Sequence, residues 1–253
     1  MLRSIRKTWV IADFEIRKIL HDPTEVLLRA VQPALWLLIF GQVMARTRIV
    51  AGENYLDFMA PGILAQSILF VSIFYGIAII WERDLGLTHK FLATPTPRTA
   101  LVLGKAVSAG MRCIPLMVII YLLAALLSVN VSWQPLHLLG VVLFLLLGAI
   151  LFSTFSLIIA CLVKTRERFM GIGQLMTMPL FFASNAIYPI SLMPNWLKIV
   201  SHFNPLTYMI DGMRNLMTGS SSVYTLPIDY FILLVTSAIL VLIAGALYKR
   251  VII

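Results

Sequence analysis

Residues 136–163 read LHLLGVVLFLLLGAILFSTFSLIIACLV, a run of 28 residues that contains no Lys, Arg, Asp or Glu. A helix on the surface of a soluble protein keeps one polar face, whereas this run is apolar all the way around. About 20 consecutive apolar residues are enough for an α-helix to cross the hydrocarbon core of a bilayer. The run therefore predicts a transmembrane helix. Its apolarity is continuous and does not alternate, which argues against a strand of a membrane barrel.

The composition of the whole chain agrees with that prediction. Of its 253 residues, 60% are hydrophobic and only 12% are charged, which is far from the balance of a soluble domain. Charge-poor runs recur along the sequence, and we predict an all-α polytopic membrane protein with six transmembrane helices in a single domain, residues 1–253. The predicted spans are residues 30–45, 59–81, 113–129, 136–163, 169–189 and 230–248.

The 20 Lys and Arg residues exceed the 11 acids and give a net charge of +9. These bases are sorted along the chain: nearly all precede the first span, lie in the loops after the second and fourth spans, or follow the last span. The alternate loops carry only Arg46, Arg48, Lys198 and Arg214. The positive-inside rule then places both termini in the cytoplasm, in agreement with an even number of spans. The basic charge reports membrane topology, and binding to nucleic acid is not predicted.

Residues 4–22 precede the first span and combine apolar side chains at helical spacing with bases and acids. The pattern predicts an amphipathic helix in the cytoplasmic interface, which ends at Asp22-Pro23 because the residue before proline leaves the α region. We expect this helix to anchor the chain to membrane lipids, with contact to a partner protein as the alternative. It contains no apolar core of signal-peptide length, so the first span is expected to direct insertion.

Residues 188–219, YPISLMPNWLKIVSHFNPLTYMIDGMRNLMTG, are too apolar for an ordinary loop and too short to cross a bilayer twice. They predict an outer re-entrant pair of short helices, residues 189–219, between the fifth and sixth spans. The break falls at Asn204-Pro205, and Gly219 ends the second helix. Asp211 and Arg214 share one helical face, where a structural pair is favoured over a gate. The candidate outer-gate residues are Pro189, Pro194, Trp196, Asn204, Pro205, Tyr208, Asp211 and Arg214.

The sequence offers no local catalytic, metal or nucleotide motif. Gly104-Lys105 is followed by Ala106 rather than by Ser or Thr, so the phosphate-binding loop of P-loop ATPases is absent, and no H-E-x-x-H or G-x-S-x-G occurs. Cys113 and Cys161 lie in different spans, and we expect them to be buried small hydrophobes. We expect no cofactor in this chain. The span centres are nearly free of charge, and Arg112, near the start of the third predicted span, is expected to snorkel or pair within the bundle.

The loop after the second span, residues 81–105, reads WERDLGLTHKFLATPTPRTALVLGK. It predicts a short amphipathic helix, residues 82–95, whose apolar side chains are Leu85, Leu87, Phe91 and Leu92 and which Pro95 ends. A helix of this length is marginally stable in water, so it gains from docking on a cytoplasmic partner. A helix that floats at the lipid interface is the alternative.

These residues also carry a family resemblance. Glu82-Arg83, Gly86, Leu92 and Thr94-Pro95, followed by Leu103-Gly104-Lys105, resemble the second loop of ABC-2 type transporter permeases. The segments Tyr188-Pro189, 193–197 and 204–208, with Asp211 and Arg214, resemble the outer region of the same family. The resemblance covers nearly the whole chain. In pattern it is nearest to daunorubicin-resistance-type and Nod-factor export permeases.

The resemblance implies a homodimer in the bacterial plasma (inner) membrane. Each copy would dock its coupling helix on a separate ABC ATPase subunit, which binds ATP and Mg, and the complex would export an amphipathic drug, lipid or lipid-linked glycan. A self-contained secondary transporter or channel is the alternative, and a membrane enzyme is less favoured. The implied coupling residues are Glu82, Arg83, Leu85, Gly86, Leu87, Phe91, Leu92 and Pro95. A possible substrate pathway comprises Met176, Met178, Phe181, Phe182 and Tyr188, for which packing against helices and lipid is the favoured interpretation.

Overall fold

The computed structural model describes residues 23–46, 54–85, 98–163, 165–220 and 222–248, and within these ranges the chain is helical without a strand. The predicted interfacial helix, residues 4–22, lies outside the described residues. The helices are α1 (Pro23–Leu35), which continues through a π-helical stretch (Trp36–Gly41) into α2 (Gln42–Ala45), then α3 (Tyr55–Phe74), α4 (Gly76–Asp84), α5 (Arg98–Leu126), α6 (Pro135–Leu162), α7 (Arg166–Phe182), a 3-10 turn (Ile190–Leu192), α8 (Asn195–Phe203), α9 (Pro205–Thr218) and α10 (Leu226–Leu247).

Five helical segments in the described residues are long and apolar enough to cross a bilayer. The prediction of an all-helical protein with several membrane-spanning helices is thereby confirmed. The first span combines most of α1 with the π-helical stretch and α2, and the second combines α3 with the first turns of α4. The five segments are Leu27–Ala45, Tyr55–Trp81, Leu101–Leu126, Pro135–Leu162 and Leu226–Leu247.

The remaining predicted span, residues 169–189, corresponds to the shorter helix α7. Thr165 caps its first turn by accepting a hydrogen bond from the Arg168 N–H at 3.4 Å, and the helix ends at Phe182. Its 17 residues extend over about 25 Å at 1.5 Å per residue, slightly less than a hydrocarbon core of about 30 Å. The chain then turns at residues 183–188.

Helix α5 starts well before the third predicted span, at Arg98 rather than at residue 113. The predicted span began after Arg112 because charged residues were excluded from it. Lys105 and Arg112 are nevertheless part of the helix. Lys105 is buried within α5, and the Arg112 guanidinium carbon lies 5.2 Å from the ring centroid of Tyr75. A cation over an aromatic face is stabilised where water is scarce. Arg112 therefore lies in the middle of a helix and packs within the bundle.

Helix α6 is the centre of the bundle and packs against α3, α5, α9 and α10. Its Phe144 stacks on Tyr230 of α10 with ring centroids 3.9 Å apart. On α9, Gly212 faces the same ring, and a Cβ at that position would lie 2.1 Å from Phe144 Cζ. The short helix α9 therefore reaches the core because glycine leaves room for the phenyl ring.

We predict that Gly212→Ala lowers the melting temperature of the purified protein in detergent. Overpacking a core costs about 1–3 kcal/mol, which exceeds the gain of about 1 kcal/mol from replacing a helical glycine by alanine. Gly173→Ala on α7 is the matched control, because its would-be Cβ meets nothing closer than Ile73 Cγ2 at 3.4 Å, an ordinary contact distance. Equal melting temperatures for the two variants would contradict the close packing of α9 against Phe144.

Candidate functional site

The predicted outer region contains the two short helices α8 and α9, separated by one residue, Asn204. The Asn204 Oδ1 accepts a hydrogen bond from the Leu206 N–H at 3.0 Å and so caps α9, whose first residue is Pro205. The Asn204 Nδ2 donates to the Leu180 carbonyl at 2.7 Å. Asn and Pro suit these two positions because the side chain replaces a missing backbone acceptor and proline has no N–H to leave unpaired. The same asparagine ties the pair to the end of α7.

The two helices have different surroundings. Helix α8 exposes its apolar side chains, with Trp196 67% and Phe203 85% accessible. Helix α9 buries residues 206–214 and packs against α3, α6 and α10. It ends at Gly219, whose φ of 67° is the left-handed conformation that glycine adopts without strain. Only α8 has the one-sided exposed apolar face expected of a helix at a membrane surface, whereas α9 is a core element.

Arg214 on α9 is fully enclosed, with 2% of its surface accessible. Its Nε donates to the Phe58 carbonyl at 3.2 Å, and one terminal nitrogen donates to the Asn185 carbonyl at 2.6 Å. The guanidinium carbon also lies 3.8 Å from the ring centroid of Phe58. In the amide orientation that satisfies both of its polar atoms, Asn185 accepts from the other terminal nitrogen at 3.1 Å. Arg214 thereby joins α9 to α3 and to the turn after α7.

Asp211, one turn earlier on α9, is completely buried. Its two oxygens accept hydrogen bonds from the backbone N–H groups of Val223 and Tyr224, at 3.0 and 2.8 Å. Burial raises the pKa of the Asp211 carboxyl, while the two N–H donors and the nearby charge of Arg214 lower it. The carboxylate therefore fixes the segment that leads into α10. Both charged residues connect separate parts of the chain, which favours the structural interpretation over a gate.

Tyr208 extends this polar network to α8. Its hydroxyl donates to the His202 carbonyl at 2.7 Å, and its ring lies 4.8 Å from that of Tyr224. The imidazole Nδ1 of His202 in turn shares a hydrogen bond with the Tyr224 hydroxyl. Of the other predicted outer residues, Pro189 and Pro194 precede the 3-10 turn and α8, and Trp196 is exposed. The structure thus brings Asn204, Tyr208, Asp211 and Arg214 together and leaves Trp196 apart.

Two acidic residues that the sequence interpretation did not single out are buried. Asp57, in the first turn of α3, accepts hydrogen bonds from the Asn130 N–H and its side-chain Nδ2, both at 3.2 Å. Asp229, in the first turn of α10, has no hydrogen-bond partner for either oxygen among the described residues. An isolated acid next to a long apolar run was the available signal for each. The partner of Asp57 could not be predicted from that signal, because Asn130 is 73 positions away in sequence.

The five predicted pathway residues do not share one surface. Phe181 is buried, and its ring lies 6.1 Å from that of Trp36 in the first span. Met178 and Phe182, one turn apart on α7, are exposed. Met176 is half-buried, and the half-buried Tyr188 donates a hydrogen bond to the Phe182 carbonyl. Packing therefore accounts for Phe181, while Met178 and Phe182 face outward from the described chain.

The predicted coupling residues are only partly described. Helix α4 continues past the second span to Asp84, and Leu85 follows it with 68% of its surface accessible. The side chains of Glu82 and Arg83 are not described, and Gly86, Leu87, Phe91, Leu92 and Pro95 lie outside the described residues. Just before this region the Arg166 guanidinium stacks over Trp81, 3.8 Å from the ring centroid, so α7 starts beside the end of the second span.

Metal binding has no support in the part of the chain that the structure describes. Across those ranges, no three His, Cys, Asp or Glu residues lie close enough together to hold an ion. The candidate site is a set of packed helices joined by the buried polar contacts described above.

Comparison with known proteins gives matches to membrane transport permeases. The ABC-2 type transporter family matches residues 6–218. The putative transport permease ycf38 of Cyanophora paradoxa is 31% identical over 80% of this chain and 71% of its own length. The daunorubicin resistance ABC transporter permease protein DrrB1 of Streptomyces coeruleorubidus is 23% identical over 91% of this chain and 80% of its own. The inner membrane transport permease YadH of Escherichia coli K12 is 27% identical over 75% and 73%, respectively.

We predict that Arg214→Gln destabilises the protein by about 2–4 kcal/mol, because it leaves the Phe58 and Asn185 carbonyls without their charged donor. Arg214→Lys is expected to recover little, since an ammonium lacks the planar fork that reaches both carbonyls. Thermal denaturation in detergent measures the effect, with Arg46→Gln, an exposed arginine, as the matched control. A melting temperature for Arg214→Gln equal to that of the control would disprove the structural role.

Proposed function

The chain belongs to the ABC-2 type transporter family; it is therefore a membrane subunit of a transporter, and we propose that it exports an amphipathic substrate with energy from a separate ABC ATPase. The observation that carries the proposal is the family match over residues 6–218. The sequence contains no P-loop motif, and the proposal therefore assigns the motor to a separate subunit. ATP and Mg belong to that partner. The chain itself is a permease and not an enzyme.

The proposed topology has six crossings, with α7 and the turn that follows it as the fifth. Two contacts support this. The start of α7 stacks on Trp81 at the end of the second span, through Arg166, and its far end contacts Trp36 in the first span through Phe181. Helix α7 therefore extends from the end of the second span at least to the middle of the first span. With six crossings, the distribution of bases supports a topology with both termini in the cytoplasm and with α8 and α9 at the outer surface. The proposed location is a bacterial inner membrane.

The coupling to ATP hydrolysis is assigned to the loop after Trp81. Helix α4 leads out of the bundle in the direction of this loop, and the exposed Leu85 stands at its start. An exposed apolar side chain at the start of a charged loop fits a groove on a cytoplasmic ATPase. The sequence-predicted coupling residues, from Glu82 to Pro95, keep this role in the proposal. The substrate is an amphipath such as a drug, a lipid or a lipid-linked glycan, and the relative named for daunorubicin resistance supports the drug class.

A homodimer is proposed through the exposed side of α7. Gln174 lies on this side between the exposed apolar residues Met170, Leu175 and Met178. A polar amide facing hydrocarbon gains from a hydrogen bond across a helix pair, and Gly171, with open space beyond it, lets a second helix approach closely. In a two-fold dimer the same amide meets its copy, so that one residue supplies both donor and acceptor.

A self-contained secondary transporter is the second candidate, and Asp229 is the observation that favours it. An ionisable side chain within a span marks an ion path in many transporters, and Asp229 lies in the first turn of α10 without a hydrogen-bond partner among the described residues. In that case purified protein would move substrate with a proton or sodium gradient and no ATPase. Asp229→Asn would abolish that flux.

We predict that Leu85→Glu uncouples the transporter. A charge on the docking face weakens contact with the ATPase, and we expect at least an about fivefold loss of ATP-driven efflux from proteoliposomes that contain this chain and an ABC ATPase recovered with it by pull-down. Leu126→Glu is the matched control, an exposed leucine at the far end of α5. Efflux that persists without any ATPase would reject the ATP-driven proposal. Equal efflux in the two variants would reject only the docking role of Leu85.

We predict that Gln174→Cys forms a disulfide between two copies when membranes are oxidised. Residues that meet across a two-fold axis bring their Cβ atoms within the short distance that a disulfide requires. Leu242→Cys, exposed on α10, is the matched control and is expected to remain monomeric on a non-reducing gel. The two natural cysteines are buried and contribute little background. Cross-linking at Leu242 and not at Gln174 would move the interface to the other side of the bundle.

A further inference from the structure

A pocket of about 240 Å³ lies between the first half of the first span and the middle of α3. On the first span its rim is exposed at Leu28 and Gln32, so the pocket opens on the side of the described bundle. Its wall on α3 includes Gln66 and Phe70, one turn apart. Sites that enclose a whole drug-sized molecule have roughly 300–1,000 Å³, so this pocket suits one part of a larger ligand.

Gln66 is the polar group that the pocket leaves unsatisfied. It is only 4% accessible, and its Oε1 has no hydrogen-bond partner among the described residues. A buried acceptor without a partner costs free energy, because folding removes the water that bound it. The adjacent Ser67 donates its hydroxyl hydrogen to the Ile63 carbonyl at 2.8 Å, so its oxygen remains able to accept. A ligand with a hydrogen-bond donor would therefore satisfy this wall.

Two aromatic rings line the same pocket. Phe70 and Phe74 are half-buried, and their ring centroids lie 6.1 Å apart with the planes inclined by 23°. Aromatic rings pack favourably on one another in such offset arrangements, so a ligand ring can add to this pair. Phe74 also packs against α7, where a Cβ on Gly173 would lie 3.7 Å from its Cε1. The pocket wall therefore contacts α7, which carries the proposed dimer face.

The polar side chains assigned to binding are uncharged. Arg29 also lines the pocket, but it already has an interaction within the chain, and Glu25 lies one turn before it on α1. We therefore assign Arg29 no part in binding. Among the described residues that line the pocket, none is acidic. A neutral donor such as a hydroxyl group is then a better match than an ammonium group, which would lose its hydration without gaining a carboxylate.

We infer that this pocket recognises a hydroxylated aromatic part of the exported molecule. The ring lies against Phe70 and Phe74, and the hydroxyl group donates to Gln66 Oε1. This assignment rests on the exporter proposal, and it selects an aromatic, drug-like molecule over a lipid or a lipid-linked glycan. Entry is from the side, past Leu28 and Gln32, so that an amphipath reaches the pocket from the bilayer.

Other occupants satisfy fewer of these groups. An acyl chain fills the apolar wall but leaves Gln66 Oε1 without a donor. Water supplies the donor but makes no use of the two rings. A sugar brings many hydroxyl groups, and those that face Val71 and Leu116 would have no partner. A ring with a single hydroxyl group thus fits best.

Binding of two small probes to the purified chain, with no ATPase and no ATP, tests the site. The probes are 2-naphthol and 2-methylnaphthalene, which share a ring system and differ by a hydroxyl group in place of a methyl group. Equilibrium dialysis against protein-free micelles measures their binding, with each concentration counted in the detergent phase. We expect 2-naphthol to bind about fivefold to tenfold more tightly, the size expected of one hydrogen bond to a buried neutral acceptor.

Three variants separate the hydrogen bond from the ring contact. Gln66→Leu is expected to lower the affinity for 2-naphthol to that for 2-methylnaphthalene, whose unchanged binding shows that the pocket is intact. Phe70→Leu is expected to weaken the binding of both probes alike, because both lose the same ring contact. Gln42→Leu, an exposed glutamine in α2 that does not line the pocket, is the matched control and is expected to keep the wild-type preference.

Three results would overturn the proposal. Equal affinities of the two probes for the wild-type chain would mean that water already satisfies Gln66. A preference for 2-naphthol that survives Gln66→Leu would place the hydroxyl group elsewhere. Binding of neither probe, together with a disulfide between copies that carry Gln32→Cys, would mean that a second chain fills the pocket.

Failure of the site and failure of the exporter give different results. Loss of the Gln66-dependent preference with intact ATP-driven efflux rejects the site and leaves the exporter. Efflux that persists without any ATPase rejects the exporter, while a Gln66-dependent preference in dialysis still identifies a ligand site. In the complex with its ATPase, 2-naphthol is expected to raise ATP hydrolysis for the wild type and not for Gln66→Leu. An unchanged rate for the wild type would reject the assignment to the exported molecule.

Discussion

The buried guanidinium of Arg214 is the interaction on which the arrangement of the helices depends. A charge enclosed by apolar helices costs several kcal/mol unless it is hydrogen-bonded, and here the acceptors are the carbonyls of Phe58 and Asn185. Those two groups belong to α3 and to the turn after α7. Helix α9 must therefore lie between them, although it is too short to cross a bilayer. Asp211 on the same helix fixes the entry to α10 by the same principle.

Buried polar contacts of this kind matter more for the arrangement of helices in a membrane than in water. Lipid surrounds the bundle with a medium as apolar as leucine, so apolar contact alone gives helices little reason to choose one neighbour over another. Polar contacts and close packing at glycine supply that choice. Between Asn204 and Tyr224, every element makes at least one polar contact of this kind. Among the described residues, the outward side of α8 makes none, and there Trp196 and Phe203 are exposed. The buried α9 is thus held rigidly, and α8 is the part free to rest on a lipid surface.

Local chemistry explains what the sequence predicted well. Asn204-Pro205 and Gly219 mark helix ends through capping and a left-handed residue, and these effects involve only neighbouring residues. Charge counting located most of the spans but failed at Arg112, because a tyrosine 37 positions earlier in the chain stabilises that cation inside the bundle. The burial of α9 and the burial of Gln66 were beyond such reasoning for the same reason: each depends on residues that are brought together only by the packing of distant helices.

The break between α3 and α4 separates the buried part of the second span from the part that leads to the loop after Trp81. Tyr75 interrupts the second span there, and Ser156 of α6 donates a hydrogen bond to the carbonyl of Ile73 at the last turn of α3. In the proposed exporter, a force on the loop would bend the span at this break rather than move α3 as a whole, because α3 is buried along most of its length while α4 leads to the exposed Leu85. Helix α9 packs against α3. Motion of the ATPase would therefore reach α4 before it reaches α9.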